Sequence, residues 1–538
     1  MSQTLRPYPF QLALAIFLAG APLLAQERPP EGAAAEIEQL RQMLADQQKQ
    51  IDELRRMLVE QTSARVLPAP AVRPLRLGEI ASFSPILPLA RPAPVIVKPA
   101  EEDAPLQWKI GDTTIQPIGF ADLTGTWKDK NAGGTVGTNF GSIPYSNVPG
   151  GKLSEFRFSS QISRLGFRLD GDWKGVHYLG YSEFDFMGTS GSNNLSVSSG
   201  AFVPRMRMFL IDLRMGKFEI MAGQAWSMLT PNRKGLSPLP EDLFVGFGID
   251  LNAVNGLPWT RQPGVRFLYH PSEKWTLGAS FENPDQYIGV SAGGPGIVLP
   301  SALTSLGGGQ LDNSSNVQLT PNAHPDFILK AAFDPTPRFH IEAAAIERTF
   351  RVWNPNASRR FMKSGGGFSL NTSVGLTKNI RFVSNHFWSE GGGRYLAGNA
   401  PDVIVRSDGS LSPIKAAGIV SGFEWKIVPA LQLYAYYGGA YIDRNTAVDA
   451  NGTTLIGYGF RGSANTQNRT MHEVTFGFNR TLWKDPRYGA LNAMSQYAYV
   501  LRNPWFMAPD SPKNAHDNTV FMSMRYTLPG RAPAPPLH

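Results

Sequence analysis

From Trp108 onward the chain is punctuated by connections of two lengths in strict alternation, and this limits its fold more than any other feature. Between the connections lie sixteen segments of β-type composition, near 114–127, 155–170, 175–188, 203–214, 217–226, 263–270, 274–283, 325–333, 338–350, 366–377, 380–390, 417–427, 430–440, 471–482, 488–503 and 518–527. Soluble strands usually run about 5–6 residues. These are longer and suit the roughly 9–11 residues of a tilted membrane-spanning strand. The long or medium connections are 128–154, 189–202, 227–262, 284–324, 351–365, 391–416, 441–470 and 504–517. The short ones are 171–174, 215–216, 271–273, 334–337, 378–379, 428–429 and 483–487. Up-and-down outer-membrane barrels connect their strands this way, with short periplasmic turns and longer extracellular loops. The expected fold is an all-β, 16-stranded antiparallel up-and-down transmembrane barrel over 108–527. An even strand count places both barrel ends on the short-turn side.

The faces of the segments alternate as well. Val520, Met522, Met524 and Tyr526 share one face, opposite Ser523, Arg525 and Thr527. Val474, Phe476 and Phe478 oppose Glu473, Thr475 and Asn479, and Val176, Tyr178, Phe184 and Phe186 oppose His177, Tyr181, Glu183 and Asp185. A soluble sandwich would alternate too; strand length and loop pattern decide for the barrel. Closure follows because an open edge in lipid leaves backbone groups unpaired.

The first 107 residues are built differently. FQLALAIFLAGAPLL, residues 10–24, reads as the apolar core of a signal peptide spanning 1–25. It is too short for the roughly 20 residues of a spanning helix. Residues 26–64 contain a heptad pattern with Ile37, Leu44, Ile51 and Leu58 at one seam position and Leu40, Gln47, Leu54 and Gln61 at the other. That period of 3.5 predicts a periplasmic coiled-coil helix, with Gln47 fixing register. Residues 65–107 hold nine prolines and read as an extended linker. Residues 528–538 form a tail beyond the last strand.

Composition removes several function classes. With no cysteine there is no disulfide framework, Cys-ligated metal or Cys nucleophile. Eight histidines are scattered without metal-ligand spacing, and no nucleophile elbow, phosphate loop or dinucleotide fingerprint occurs. No enzyme, cofactor, metal site or nucleic-acid partner is expected. Mean hydropathy is −0.20, which excludes a bundle of spanning helices.

The charge balance points to anions. Residues 108–538 carry 40 Lys and Arg against 31 Asp and Glu, with Arg in the majority of the bases. Guanidinium groups on a channel wall draw anions and repel cations. Arg205 and Arg207 share a face; Arg164 and Arg168 lie on the second strand, where a change of parity after Arg157 signals a bulge or a different register. The third long loop, Ala225 to Gly264, mixes Arg233, Lys234 and Arg261 with Glu241, Asp242 and Asp250. Folded inward, it would set opposed charges across a constriction; left outside, it would be a surface loop with paired charges. Basic groups on the outer rim would instead meet lipopolysaccharide phosphates.

The tracts GQAWSMLTP, Gly223 to Pro231, and RQPGVRF, Arg261 to Phe267, together with the signal peptide, heptads, tether and barrel, resemble the DcaP-like trimeric outer-membrane porins. The resemblance implies a homotrimer joined by its N-terminal helices, passive uptake of small anions such as dicarboxylates, and Arg233, Arg261 and Arg266 at or near the constriction. Phosphate-selective and general porins share the plan. A barrel with a plugged lumen that tethers outer membrane to cell wall, and an outer-membrane hydrolase, are the readings from other classes. One departure from barrel habit is the last aromatic, Tyr526, which is followed by the tail TLPGRAPAPPLH rather than ending the chain.

Overall fold

Period-2 alternation places successive side chains on opposite sides of a pleated ribbon, so a closed ring of such ribbons has one apolar and one polar surface. The computed structural model has this form. It describes residues 106–132, 136–137, 140–188, 202–237, 239, 255–289, 296–311, 320–397 and 399–529, together with Lys49. The signal peptide, the heptad segment, nearly all of the proline-rich linker and the end of the tail lie outside the described residues.

Sixteen antiparallel strands form one sheet that closes on itself. They are β1 (Thr113–Lys128), β2 (Glu155–Ser159 and Arg164–Trp173), β3 (Val176–Gly188), β4 (Val203–Met215), β5 (Phe218–Trp226), β6 (Arg261–Ser272), β7 (Trp275–Glu282) and β8 (Asp326–Thr336). The second half comprises β9 (Phe339–Asn354), β10 (Arg359–Gly375), β11 (Ile380–Glu390), β12 (Lys415–Val428), β13 (Leu431–Ile442), β14 (Asn468–Asp485), β15 (Gly489–Pro504) and β16 (Ala515–Thr527). Each strand pairs with its sequence neighbours, and β1 also pairs with β16, from Phe120 opposite Thr527 to Lys128 opposite Thr519. No sheet edge is left in the ring.

Two local departures from the expected pattern have physical causes. The second strand is interrupted at residues 160–163, where Ser163 Oγ accepts from the Asp122 amide at 2.9 Å. The extra residues change the parity of the strand, so Arg157 and Arg164 both belong to its inner face. The medium loop expected over 351–365 is mostly strand: β9 runs to Asn354 and β10 starts at Arg359, with paired residues from Arg348 opposite Gly365 to Asn354 opposite Arg359. The expected strand starts at residue 366, so the sequence reading puts Gly365 in the loop and Gly366 and Gly367 at the strand's start. In the barrel a side chain at Gly366 would meet the Ile346 carbonyl at 2.8 Å, and glycine leaves that approach open.

The face assignments made from the pattern match the exposures. On β16 Met522 is 63% exposed and Met524 45%, against 4% for Ser523 and 3% for Arg525. On β14 Val474 and Phe476 face out while Glu473 and Thr475 are buried. Exposed aromatics ring both ends of the outer surface. Trp173, Phe218, Trp275, Trp425 and Trp483 lie toward the short turns, and Trp127, Phe156, Trp353 and Trp388 toward the long loops. Such girdles mark the two interfaces of a bilayer. Between them, on β11 and β12, Ser384 Oγ bonds His386 Nε2 at 3.0 Å and Ser421 Oγ at 2.7 Å, which pairs these outward polar groups with one another rather than with lipid.

The long-loop end has a core of its own. Phe140, Ile143 and Tyr145 of the first loop, Leu303, Leu306 and Leu311 of the fourth, Tyr395, Leu396 and Val403–Val405 of the sixth and Tyr458 of the seventh are all buried in one apolar cluster. Two loop hairpins, Val403–Val405 with Leu411–Pro413 and Asn445–Val448 with Leu455–Tyr458, stiffen it.

Candidate functional site

The third long loop leaves β5 at the long-loop end, and its described first part, 227–237, descends along the inner wall. Each successive contact lies lower. The Met228 amide donates to Glu282 Oε1 at 2.7 Å, at the upper end of β7. Lys330 Nζ, midway down β8, donates to the Thr230 carbonyl at 2.9 Å. The Asn232 amide donates to Glu342 at 2.9 Å near the lower end of β9, and Arg233 pairs with Glu424 low on β12. The Gly235 amide donates to Asp334 at 2.9 Å, at the lower end of β8. A loop without its own ladder has unpaired amides, and inward carboxylates of the wall accept them. The return limb rises past β14, where the Asn255 amide meets Glu473 at 2.8 Å, and the Trp259 amide reaches the Tyr395 carbonyl at 2.9 Å.

The return limb touches the wall backbone to backbone. Gly256 has φ +91°, and a side chain there would lie 2.1 Å from the Gly439 carbonyl oxygen; one on Gly418 would lie 2.2 Å from the Gly256 carbonyl oxygen. A Gly418→Val protein is therefore expected to keep its closed barrel but lose the seat of the return limb. Limited proteolysis within 227–260 should speed up, and single-channel current should become noisier.

Arginines gather on another part of the inner wall. Arg207 Nε and Nη1 meet Glu183 at 2.6 Å and Asp185 at 2.7 Å. Arg205 shares Asp185 at 2.7 Å, and Arg164 reaches Glu183 at 3.4 Å. Arg261, at the start of β6, sits 4.8 Å above the Trp226 ring, which stacks on Trp259 with centroids 3.4 Å apart. Arg207, Arg205 and Arg164 all act electrostatically on Arg261. Arg261 forms no ion pair among the described residues, and its Nη1 is buried without a partner. Four guanidiniums thus face two carboxylates, leaving positive charge in excess. Lower down, Arg525 pairs with Asp122 at 2.8 Å and Arg168 with Asp170 at 2.6 Å.

The other residues singled out in the sequence fall elsewhere. Arg266 is 3% exposed and donates to the Trp226 carbonyl at 2.8 Å, so it braces the point where the loop leaves β5. Lys234 is exposed at the bottom of the descending limb. Glu241, Asp242 and Asp250 lie outside the described residues. Among the described residues no group of three or more His, Asp and Glu could hold a metal ion. Sequence reasoning missed the wall carboxylates Glu282, Glu342 and Glu424 and the Trp226–Trp259 stack. The available signal was inward parity: each of these carboxylates sits on the polar face of its strand.

The barrel has the fold of an outer-membrane channel. It is similar to the outer membrane channel DcaP of Acinetobacter baumannii, with a TM-score of 0.56, 18% sequence identity, 79% of this chain covered and 100% of that one. An anion-selective porin from Comamonas acidovorans matches with a TM-score of 0.45 at 12% identity, covering 77% of this chain and 100% of its own. OprB of Pseudomonas putida matches with 0.41 at 8% identity, covering 77% and 94%. No family model matches the chain, and no curated protein matches it.

Proposed function

We propose that this protein is an outer-membrane porin through which small anionic solutes, dicarboxylates among them, diffuse passively. The observation that carries the reading is the excess of guanidinium over carboxylate at Arg164, Arg205, Arg207 and Arg261, on an inner wall that also holds the first limb of the third loop. A fixed positive field in a confined aqueous path raises the local concentration of anions and lowers that of cations. Glu183 and Asp185 hold the arginines in place and temper the field, so an anion passes instead of remaining bound. In this reading the heptad segment, with Ile37, Leu40, Leu44, Gln47, Ile51, Leu54 and Leu58 on its seam, joins three copies in the periplasm, and the outer surface meets lipid and lipopolysaccharide.

Arg261→Gln tests it. Arg261 forms no ion pair among the described residues, and Glu183 and Asp185 keep Arg164, Arg205 and Arg207, so its neutralisation strands no acid. A unit charge about 4 Å away is worth roughly 1 kcal/mol even in water, which is about a fivefold change in partitioning. Reversal potentials in planar bilayers with succinate and chloride gradients should show anion preference in the natural protein and a clear drop in the variant. Cation preference in the natural protein would defeat the reading.

A further inference from the structure

On the outer surface, at the long-loop ends of β13, β14 and β15, two arginines share one indole. Tyr441 faces outward on the rung of Trp388, which belongs to the upper aromatic girdle: Trp388 pairs with Ala417, and Ala417 with Tyr441. Thr470 and Asn503 continue that rung. Arg444, Arg469 and Trp505 stand one to three residues farther toward the loops. Arg444 and Arg469 each lie 5.8 Å from the centre of the Trp505 ring, and Tyr441 meets the same ring edge-on at 6.4 Å. The sheet fixes this arrangement. Register shifts between Asn468 and Thr470, and such a bulge re-aims the extra residue, here Arg469. Trp505 is held by its amide on the Gln467 carbonyl at 2.9 Å and by its indole N–H on the Ile442 carbonyl at 3.0 Å. The Arg444 amide donates to Asp443 Oδ1 at 2.9 Å. We infer that this patch seats a phosphate of an outer-leaflet glycolipid, the lipid A portion of lipopolysaccharide; the inference rests on the porin reading above, which turns the long loops outward.

The charges of the patch do not cancel. Arg444 and Arg469 are exposed, and their guanidiniums form no ion pair or hydrogen bond among the described residues. Both act electrostatically on the Tyr441 hydroxyl, so they converge on one place. Asp443 lies there too, and its Oδ1 accepts from the Tyr441 hydroxyl at 3.2 Å as well as from the Arg444 amide. Lys415 and Glu390, on the adjoining strands, pair with each other at 3.4 Å and cancel. Two guanidiniums against one carboxylate leave net positive charge just beyond the girdle, at the depth of lipid headgroups. Guanidiniums bind phosphate oxygens through forked donors, and stacking on an indole holds both in place before a ligand arrives. Below the patch the outer face of β14 presents Val474, Phe476 and Phe478, all exposed, as a track for acyl chains. A free phosphate would use the arginines alone. A phosphorylated lipid also uses the girdle and the track, and this continuity of basic, aromatic and aliphatic surface selects the lipid.

The test is native mass spectrometry of the purified, lipid-stripped protein in detergent, titrated with bisphosphorylated lipid A. The natural protein is compared with a protein carrying Arg444→Gln and Arg469→Gln. A control carries Arg480→Gln and Arg487→Gln, which remove two exposed charges at the short-turn end instead. Loss of two nearby charges, roughly fivefold each, should raise the half-saturating lipid A concentration about twentyfold in the first variant. The control should bind like the natural protein. Lipid A without its phosphates should bind the natural protein as weakly as bisphosphorylated lipid A binds the first variant. A large excess of inorganic phosphate should leave lipid A bound. Equal binding by the natural protein and the first variant, or an equal loss in both variants, would overturn the seat. Displacement by inorganic phosphate would overturn it as well, making the patch a site for the free ion. Reversal potentials of the natural protein keep the two readings apart. Anion preference with arginine-independent lipid A binding would sink the seat and leave the porin reading standing. Arginine-dependent binding to a barrel without anion preference would do the reverse.

Discussion

Replacing Arg348 with methionine is expected to destabilise the protein by about 3–5 kcal/mol, the usual cost of removing one partner from a buried ion cluster. Arg348 is fully buried on β9 and forms ion pairs with Asp326 at 2.8 Å and Asp402 at 2.8 Å. It also donates to the carbonyls of Gly391 at 2.6 Å, Pro284 at 3.1 Å and Asp285 at 2.9 Å. Tyr395 Oη completes the cluster, donating to Asp326 at 2.8 Å. One side chain thereby fastens the fourth and sixth loops to the wall, and methionine strands two carboxylates and three carbonyls. Burial pushes the Asp402 carboxyl above its ordinary value, and Arg348 pulls it back. A carboxyl raised in the folded state contributes stability that is complete below its unfolded value, about 3.9, and is lost as pH climbs through the folded value. Losing Arg348 raises Asp402 further, so the deficit of the variant should be smaller at pH 5 than at pH 8. Heat-modifiable gel migration and urea midpoints at the two pH values measure this. A variant that also carries Asp326→Asn and Asp402→Asn should regain much of the loss; if it does not, the carbonyl contacts dominate.

The barrel was legible in the sequence because lipid and water impose a period of two on every strand, and Met522, Ser523, Met524 and Arg525 alternate without exception. Strand ends were legible wherever Gly, Pro or Asn set a turn. They were not legible at β9 and β10, where Arg359, Arg360 and Gly365 fall in the expected loop 351–365 but lie in a paired ladder. The gathering of Arg164, Arg205, Arg207 and Arg261 was only partly readable. Parity gives the face of each residue, but the closure register gives its neighbours, and β2, β4 and β6 are separated by tens of residues. The course of the third loop was hidden for the same reason. Its anchors Glu342, Glu424 and Glu473 are far along the chain, and nothing local to 227–260 names them.

Those anchors make the second large prediction. A protein with Lys330→Met, Glu342→Gln and Glu424→Gln should keep its barrel yet conduct with a several-fold larger single-channel current. Lys330 is buried and bonds Glu342 at 2.8 Å, the Thr230 carbonyl at 2.9 Å and Asn232 Oδ1 at 3.4 Å. Changing Lys330 and Glu342 together avoids leaving one charge of a buried pair unmatched, which single changes would do. Arg233 loses its carboxylate at the same time and is left on a loop free to carry it into water. The strands do not depend on these groups, because their backbone pairing runs to both neighbours around the whole ring. What holds the limb afterwards is the Met228 amide on Glu282, the Gly235 amide on Asp334, and the apolar contacts of Met228, Leu229 and Leu236 against the wall. Burial of three such side chains is worth about 1.5–3 kcal/mol each relative to exposure, and that attraction opposes the polar release. Wider current with normal heat resistance would place the polar anchors in control of the limb. Unchanged current would assign control to the remaining contacts, and adding Leu229→Ser with Leu236→Ser would then separate the apolar ones from the amides held by Glu282 and Asp334.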